Sequence, residues 1–156
     1  MRAIVQDGYG PVGCWRLADV TVPQIAGTEV LVKVHAAGID RGTWHAMTGL
    51  PYLGRLYFGL HRPKRPVPGL DVAGTVAAVG ADVTRFAIGD EVFGIGTGTF
   101  ADYARAREDK LVPKPAKLTF EHAAVIAISG LTALQSLRDA GRVEQGQQVL
   151  VVGASG

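Results

Sequence analysis

The hydrophobic period of this chain changes once, at Pro113-Lys114-Pro115, and that change limits the folds open to it. Before it, apolar residues alternate in short runs broken by glycine and proline; after it they recur at helical spacing. Residues 2–6 and 14–22 read as strands around the turn Asp7-Gly8-Tyr9-Gly10-Pro11. Glu29 to Ala37 alternates, with Val30, Val32 and Val34 on one face. His35 falls on the opposite face, where an exposed or hydrogen-bonded histidine is expected. Gly69 to Gly80 is a strand of small residues, the kind that curls where backbones pack closely. Gly89 to Gly94 reads as turn plus strand, and Phe100 to Ala106 and Lys110 to Val112 add two more.

Between these strands, Ile39 to Thr48 reads as a loop entering a short helix, and Gly49 to Pro68 as a long functional loop without clear period. Beyond the change of period, Thr119 is placed as an N-cap, with Glu121 and His122 in the first turn. Leu131, Leu134, Leu137 and Arg138 carry a helical pattern to Gly141, a natural C-cap. Gln147 to Val152 then reads as a buried-type strand running into Gly153-Ala154-Ser155-Gly156. The expected fold is mostly β: a barrel-like body over 1–118, then two helices and the first strand of an α/β domain over 119–156.

Glycines after a parallel strand let a pyrophosphate approach the backbone at a helix N-terminus. The helix that should follow is not in the sequence, so the chain is expected to supply the front portion of a dinucleotide-binding protein. A central parallel strand needs a partner on each edge. Val149, Leu150, Val151 and Val152 are therefore expected to be disordered, to pair with a second copy in a homo-oligomer, or to be covered by sequence outside this chain.

The formal charge of +2 is too small to argue for nucleic acid. The basic run His61-Arg62-Pro63-Lys64-Arg65-Pro66 reads either as a solvated loop or as a phosphate or cofactor contact. Cys14 is the only cysteine, which excludes an internal disulfide and a multi-cysteine zinc site and is compatible with a reducing compartment. Met1-Arg2-Ala3-Ile4-Val5 reads as strand rather than signal peptide, and no apolar run approaches membrane-spanning length. The expectation is a cytoplasmic protein with a small-molecule substrate, and with neither nucleic acid nor membrane as partner.

Four motifs stand in a telling order: Ala36-Ala37-Gly38-Ile39-Asp40, Pro68-Gly69-Leu70-Asp71-Val72-Ala73-Gly74, Gly89-Asp90-Glu91-Val92-Phe93-Gly94 and Ser129-Gly130-Leu131-Thr132-Ala133. In order and spacing the chain resembles the medium-chain dehydrogenases/reductases, in their zinc-independent, quinone-oxidoreductase-like branch. The resemblance covers essentially the whole chain. It implies a GroES-like catalytic domain followed by the first helix and strand of a Rossmann domain. Zinc-dependent relatives carry a cysteine after Ala-Gly-Ile, a histidine after the glycine before the acidic residue, and a third ligand four residues before Thr132. Here those positions hold Asp40, Leu70 and Ile128, and neither leucine nor isoleucine can donate to a metal. The four-cysteine structural zinc lobe is also missing, since Gly94 to Thr99 passes directly from strand to strand. The resemblance thus implies a zinc-free site.

Without a Lewis acid, reduction relies on the cofactor's hydride and on placement of an activated acceptor, such as a quinone or an α,β-unsaturated carbonyl. The branch favours NADP(H), with NAD(H) open, because the selecting residue lies about twenty positions past the glycine turn. By resemblance Asp40 positions the cofactor; as a residue it is equally a helix N-cap. Arg41 faces cofactor phosphate or solvent, and Thr43 caps the helix or nears the nicotinamide. Trp44 is core or an aromatic wall for a flat substrate. His45 is the residue of this group able to shuttle a proton near neutral pH, although solvent can also protonate the product oxygen. Tyr52, with Tyr57 and Phe58, forms a substrate lid or packs beneath its own loop. Asp71 is expected to be structural, tying down backbone amides. Thr132 reaches the nicotinamide end or bonds back along its helix. Gly153, Ala154, Ser155 and Gly156 form half of a phosphate loop. The competing reading is a non-enzymatic GroES-like module for binding or self-association.

Overall fold

A computed structural model describes residues 1–153. Alternating apolar residues build a five-stranded antiparallel sheet. Its strands are β3 (Glu29–Ala36), β4 (Asp71–Val79), β5 (Glu91–Ile95), β6 (Tyr103–Arg107) and β7 (Leu111–Pro113), in the order β6-β3-β4-β5-β7. A second sheet pairs β1 (Arg2–Gln6) with β2 (Trp15–Asp19). The two sheets are stitched together ahead of β6. Ile4 N–H donates to Phe100 O at 2.8 Å, Asp102 N–H to Arg2 O at 3.0 Å, and Ala3 bridges Ala101. The register of β3 on β4 shifts after Leu31 and again after Val34, the irregularity that lets a sheet bend into a barrel wall. The body is mostly β and barrel-like, as expected.

The core follows the predicted alternation. Val30 and Val32 are fully buried with Val72, Val76, Val92 and Leu111, and Val34 packs at their edge. His35 points to the other face, where its Nε2 is 3.1 Å from Thr75 Oγ1 and its ring stacks on Phe120 at 4.3 Å. That second face is covered by the first helical turn, α3 (Phe120–Ala123). Ala123 and Ala124 pack against Ala73, with Ala36, Phe93 and Phe120 around them. Thr119 caps this turn by accepting from His122 N–H, as its position in the sequence predicts.

The helical stretch is more broken than two clean helices. After α3 comes a wide π-type turn at Ile126–Gly130, then α4 (Leu131–Gln135), then a second π-type turn at Ser136–Ala140. Gly141 closes it, its N–H donating to Ser136 O at 2.8 Å. The strand expected at Gln147 to Val152 has no ladder among the described residues. A strand exists only with a partner, and here Leu150 and Val152 are 87% and 86% exposed. Among the described residues no helix is long and apolar enough to cross a membrane.

Candidate active site

The short helix α1 (Arg41–Thr48) begins where Gly38 breaks β3, and its first residues are those expected to carry chemistry. Asp40 caps it: Oδ1 accepts from Thr43 N–H at 2.6 Å and from Thr43 Oγ1–H at 2.7 Å. The capping expectation is met by Asp40; Thr43 does not cap the helix but sits in its first turn and donates to the cap. Arg41 is exposed and lays its guanidinium over the Trp44 ring, 4.4 Å from the centroid, a contact that their three-residue spacing on a helix permits. Trp44 is 37% exposed, so it is a surface wall rather than core.

His45 is half-buried, and its Nδ1 faces the carbonyl oxygen of Leu50. A carbonyl only accepts, so Nδ1 carries the proton and Nε2 is the nitrogen left for exchange. Trp44, Met47, Thr48 and Leu50 line one side of an open apolar groove of about 620 Å³, with Gly10, Pro11 and Val12 opposite. Neither His45 nor Tyr52 lines that groove.

Tyr52 belongs to a folded loop rather than a loose one. Residues Tyr52–Gly54 form a 3-10 turn leading into the one-turn helix α2 (Arg55–Phe58). The Arg55 guanidinium lies between the rings of Tyr9 and Tyr52, at 4.5 and 4.8 Å, while its Nε donates to Gly49 O at 3.0 Å. Tyr9 hydroxyl donates to Gly59 O. Arg55 and Tyr9 were invisible as partners in the sequence; the one available signal was arginine three residues after tyrosine in a predicted loop. Tyr52 and Tyr57 are 71% and 76% exposed, which excludes packing beneath the loop for both. Phe58 is half-buried, against Tyr57.

The three positions that hold metal in zinc-dependent relatives gather about Asp71. Leu70 is its neighbour in sequence, and Ile128 N–H donates to Asp71 Oδ1 at 3.0 Å. Asp40 lies near enough for its charge to be felt by Asp71. Burial lifts the Asp71 carboxyl to about 6, the Ile128 N–H opposes that rise, and the Asp40 charge adds to it. Asp71 thus ties a backbone amide, as expected, although the amide belongs to the distant helical segment rather than to a neighbouring loop. Gly38 is wedged into the same junction: a Cβ there would collide with Ala124 O and lie 3.0 Å from Asp71 Cβ.

A metal does not fit these residues. Leu70 and Ile128 have no donor atom, and one Asp40 oxygen is committed to the helix cap. Thr132 bonds back along its own helix, one of the two roles expected of it. Thr132 Oγ1–H donates back to Ile128 O at 2.7 Å, which leaves that oxygen able to accept but not to donate. Asp71 is the common neighbour linking Asp40 to the Ile128–Thr132 turn. Gly153 is exposed with φ +72°, a conformation suited to a tight turn; Ala154, Ser155 and Gly156 lie outside the described residues.

Residues 26–116 match the alcohol dehydrogenase GroES-like domain family. A quinone oxidoreductase of Sus scrofa is 39% identical over 142 residues, covering 89% of this chain and 41% of that protein. The solved quinone oxidoreductase from Coxiella burnetii superposes with a TM-score of 0.82 at 35% identity, covering 94% of this chain and 46% of its own. A mycobacterial protein solved in complex with NADPH superposes at 0.81 with 29% identity, over 94% and 43%. The chain therefore spans less than half the length of each of these relatives.

Proposed function

Because this chain belongs to the medium-chain dehydrogenases/reductases, in the zinc-independent, quinone-oxidoreductase-like branch, we propose that it forms the catalytic half of an NAD(P)H-dependent reductase. Its acceptors are quinones or α,β-unsaturated carbonyls. One observation carries this reading: Leu70, Ile128 and Asp40 assemble around Asp71 with no donor set for a Lewis acid, so the acceptor must be activated already.

A nicotinamide bound at this junction supplies the hydride. Thr132 and Asp40 orient it, and Arg41 faces its phosphates, the preference being NADP(H) over NAD(H). Gly153 to Gly156 hold the pyrophosphate. Trp44 and Tyr52 flank a flat acceptor, and His45, as the imidazolium with its Nδ1–H on Leu50 O, gives its Nε2 proton to the reduced oxygen and is reprotonated by solvent. On this reading 1–118 is the GroES-like catalytic domain and 119–156 opens the nucleotide-binding domain. By itself the chain is close to inactive, and its setting is cytoplasmic.

The test is oxidation of NADPH and NADH by the complete polypeptide, with quinone and enone acceptors, alongside metal analysis. Acceptor-dependent oxidation without bound metal is expected; stoichiometric zinc, or turnover restricted to simple alcohols, overturns the reading.

A second reading, self-association, is favoured by one observation. Leu131, Leu134 and Leu137 are each more than 40% exposed, and Val149 to Val152 are exposed as well. Sedimentation of the isolated 156 residues against concentration separates a self-pairing module from a chain that stays monomeric.

A further inference from the structure

Tyr52, Leu53, Leu56, Tyr57 and Leu60 are 71%, 80%, 72%, 76% and 60% exposed, five large apolar side chains within nine residues. Isolated exposed leucines are ordinary; a contiguous group of this size marks an interaction surface. Basic residues follow at once, with Arg62, Lys64 and Arg65 all exposed and in no salt bridge among the described residues. Residues 49–68 hold Arg55, Arg62, Lys64 and Arg65 and no acidic residue, a charge of +4. With +2 for the whole chain, the other 136 positions carry −2. The net positive charge of this protein is therefore carried by one loop, beside five exposed apolar side chains.

The loop is held in shape while showing this surface. Gly59 N–H donates to Arg55 O and Lys64 N–H to Phe58 O, both at 2.8 Å, and Gln6 N–H donates to Pro66 O at 2.7 Å. Gly59 turns the chain at φ +131°, where a Cβ would strike Arg62 O. Arg55 is clamped between the rings of Tyr9 and Tyr52. The leucines are thus presented outward by an ordered scaffold.

We propose that the loop from Leu50 to Arg65 docks this protein on anionic bilayer surfaces. Apolar side chains entering the headgroup boundary beside arginine and lysine match that surface in both hydrophobicity and charge. A single-stranded nucleic acid would use the tyrosines for stacking and the basic residues for phosphate, but has no use for three aliphatic leucines. Docking is distinct from spanning and stands independently of the hydride-transfer reading. It revises the sequence expectation that no membrane is involved. Leu50 joins the loop to the 620 Å³ groove, so a docked loop brings that groove to the lipid surface.

Flotation of the complete polypeptide with vesicles tests this. It is expected to float with phosphatidylcholine vesicles containing one-third phosphatidylglycerol, and not with phosphatidylcholine alone. Arg62→Gln, Lys64→Gln and Arg65→Gln combined are expected to weaken partitioning roughly a hundredfold, near fivefold for each charge. Leu53→Ser with Leu56→Ser is expected to weaken it at least roughly tenfold with an unchanged circular dichroism spectrum, since both side chains lie outside the core. The proposal is overturned if the folded wild type ignores anionic vesicles, as it would if another segment covers the loop. It also falls if neutral vesicles are bound equally, or if the leucine variant binds as well as wild type, which would leave a general polyanion site such as one for nucleic acid.

Discussion

Asp71, the first residue of β4, accepts a hydrogen bond from the backbone N–H of Ile128, 57 positions later, at 3.0 Å. This one bond fastens the helical segment to the barrel beneath the candidate nicotinamide site.

Its carboxyl gives the protein a pH dependence with a definite sign. The folded value is about 6, above the roughly 3.9 of an unfolded aspartate. Between those values the folded state binds more protons, so stability falls as pH rises from about 4 to about 6 and is level above. The size of the fall is roughly 1–3 kcal/mol. Asp71→Asn keeps an oxygen for Ile128 N–H and should flatten that slope and equal or exceed wild type at pH 8. Urea melts at pH 4.5, 6 and 8 check both; an unchanged slope in the variant refutes the assignment.

Asp40 has two roles that substitution can separate. Asn caps helices as well as Asp, so Asp40→Asn should stay within about 0.5 kcal/mol of wild type, whereas Asp40→Ala should lose about 1 kcal/mol. If Asp40 also orients the cofactor, the asparagine variant loses NADPH affinity at nearly full stability. Thermal melts and fluorescence titration of the complete polypeptide distinguish the cases.

Gly38→Ala places a methyl against Ala124 O and Asp71 in a junction with no room to give. A loss of roughly 1–3 kcal/mol is expected, seen as a lower Tm. Ala at Gly89, where nothing lies within 4 Å, strains only the backbone and serves as a comparison.

Arg55→Ala removes the guanidinium between Tyr9 and Tyr52 and the bond to Gly49 O. Local opening of the loop should rise, with tryptic cleavage after Lys64, the basic residue of this run that no proline follows, faster by roughly tenfold at unchanged global stability. Lysine lacks the planar face and should not restore protection. Timed digestion with mass readout decides it.

His45→Gln keeps a donor for Leu50 O while removing a titratable nitrogen. If Nε2 delivers the proton, kcat for quinone reduction by the complete enzyme should drop by roughly a hundredfold, the lower end for general acid catalysis. A variant as fast as wild type assigns protonation to solvent.

The barrel was legible because alternation is a local signal. Val30, Val32 and Val72 announce a buried face without reference to any partner, and the strands predicted before Pro113 agree with the observed ones to within a few residues. Caps were equally legible, since Asp40 and Thr119 act on amides three residues away. What stayed hidden depends on distant partners. Nothing near His35 indicates that it stacks on Phe120, and nothing near Asp71 points to Ile128. Leu131, Leu134 and Leu137 have the right period for a buried helix face, yet no element among the described residues covers them. The α2 turn was likewise unreadable, because one helical turn is too short to show a period.

Ile128 is the last residue whose amide is pinned to the sheet by a side chain, and everything from Ser129 to Gly153 is exposed. The helical run beyond it is therefore an arm attached to the barrel at this bond. At about 1.5 Å per residue, ten residues beyond make a lever of about 15 Å, so each degree turned there displaces its far end by about 0.3 Å. Tilting that arm would need no repacking of the barrel, only rotation about one peg.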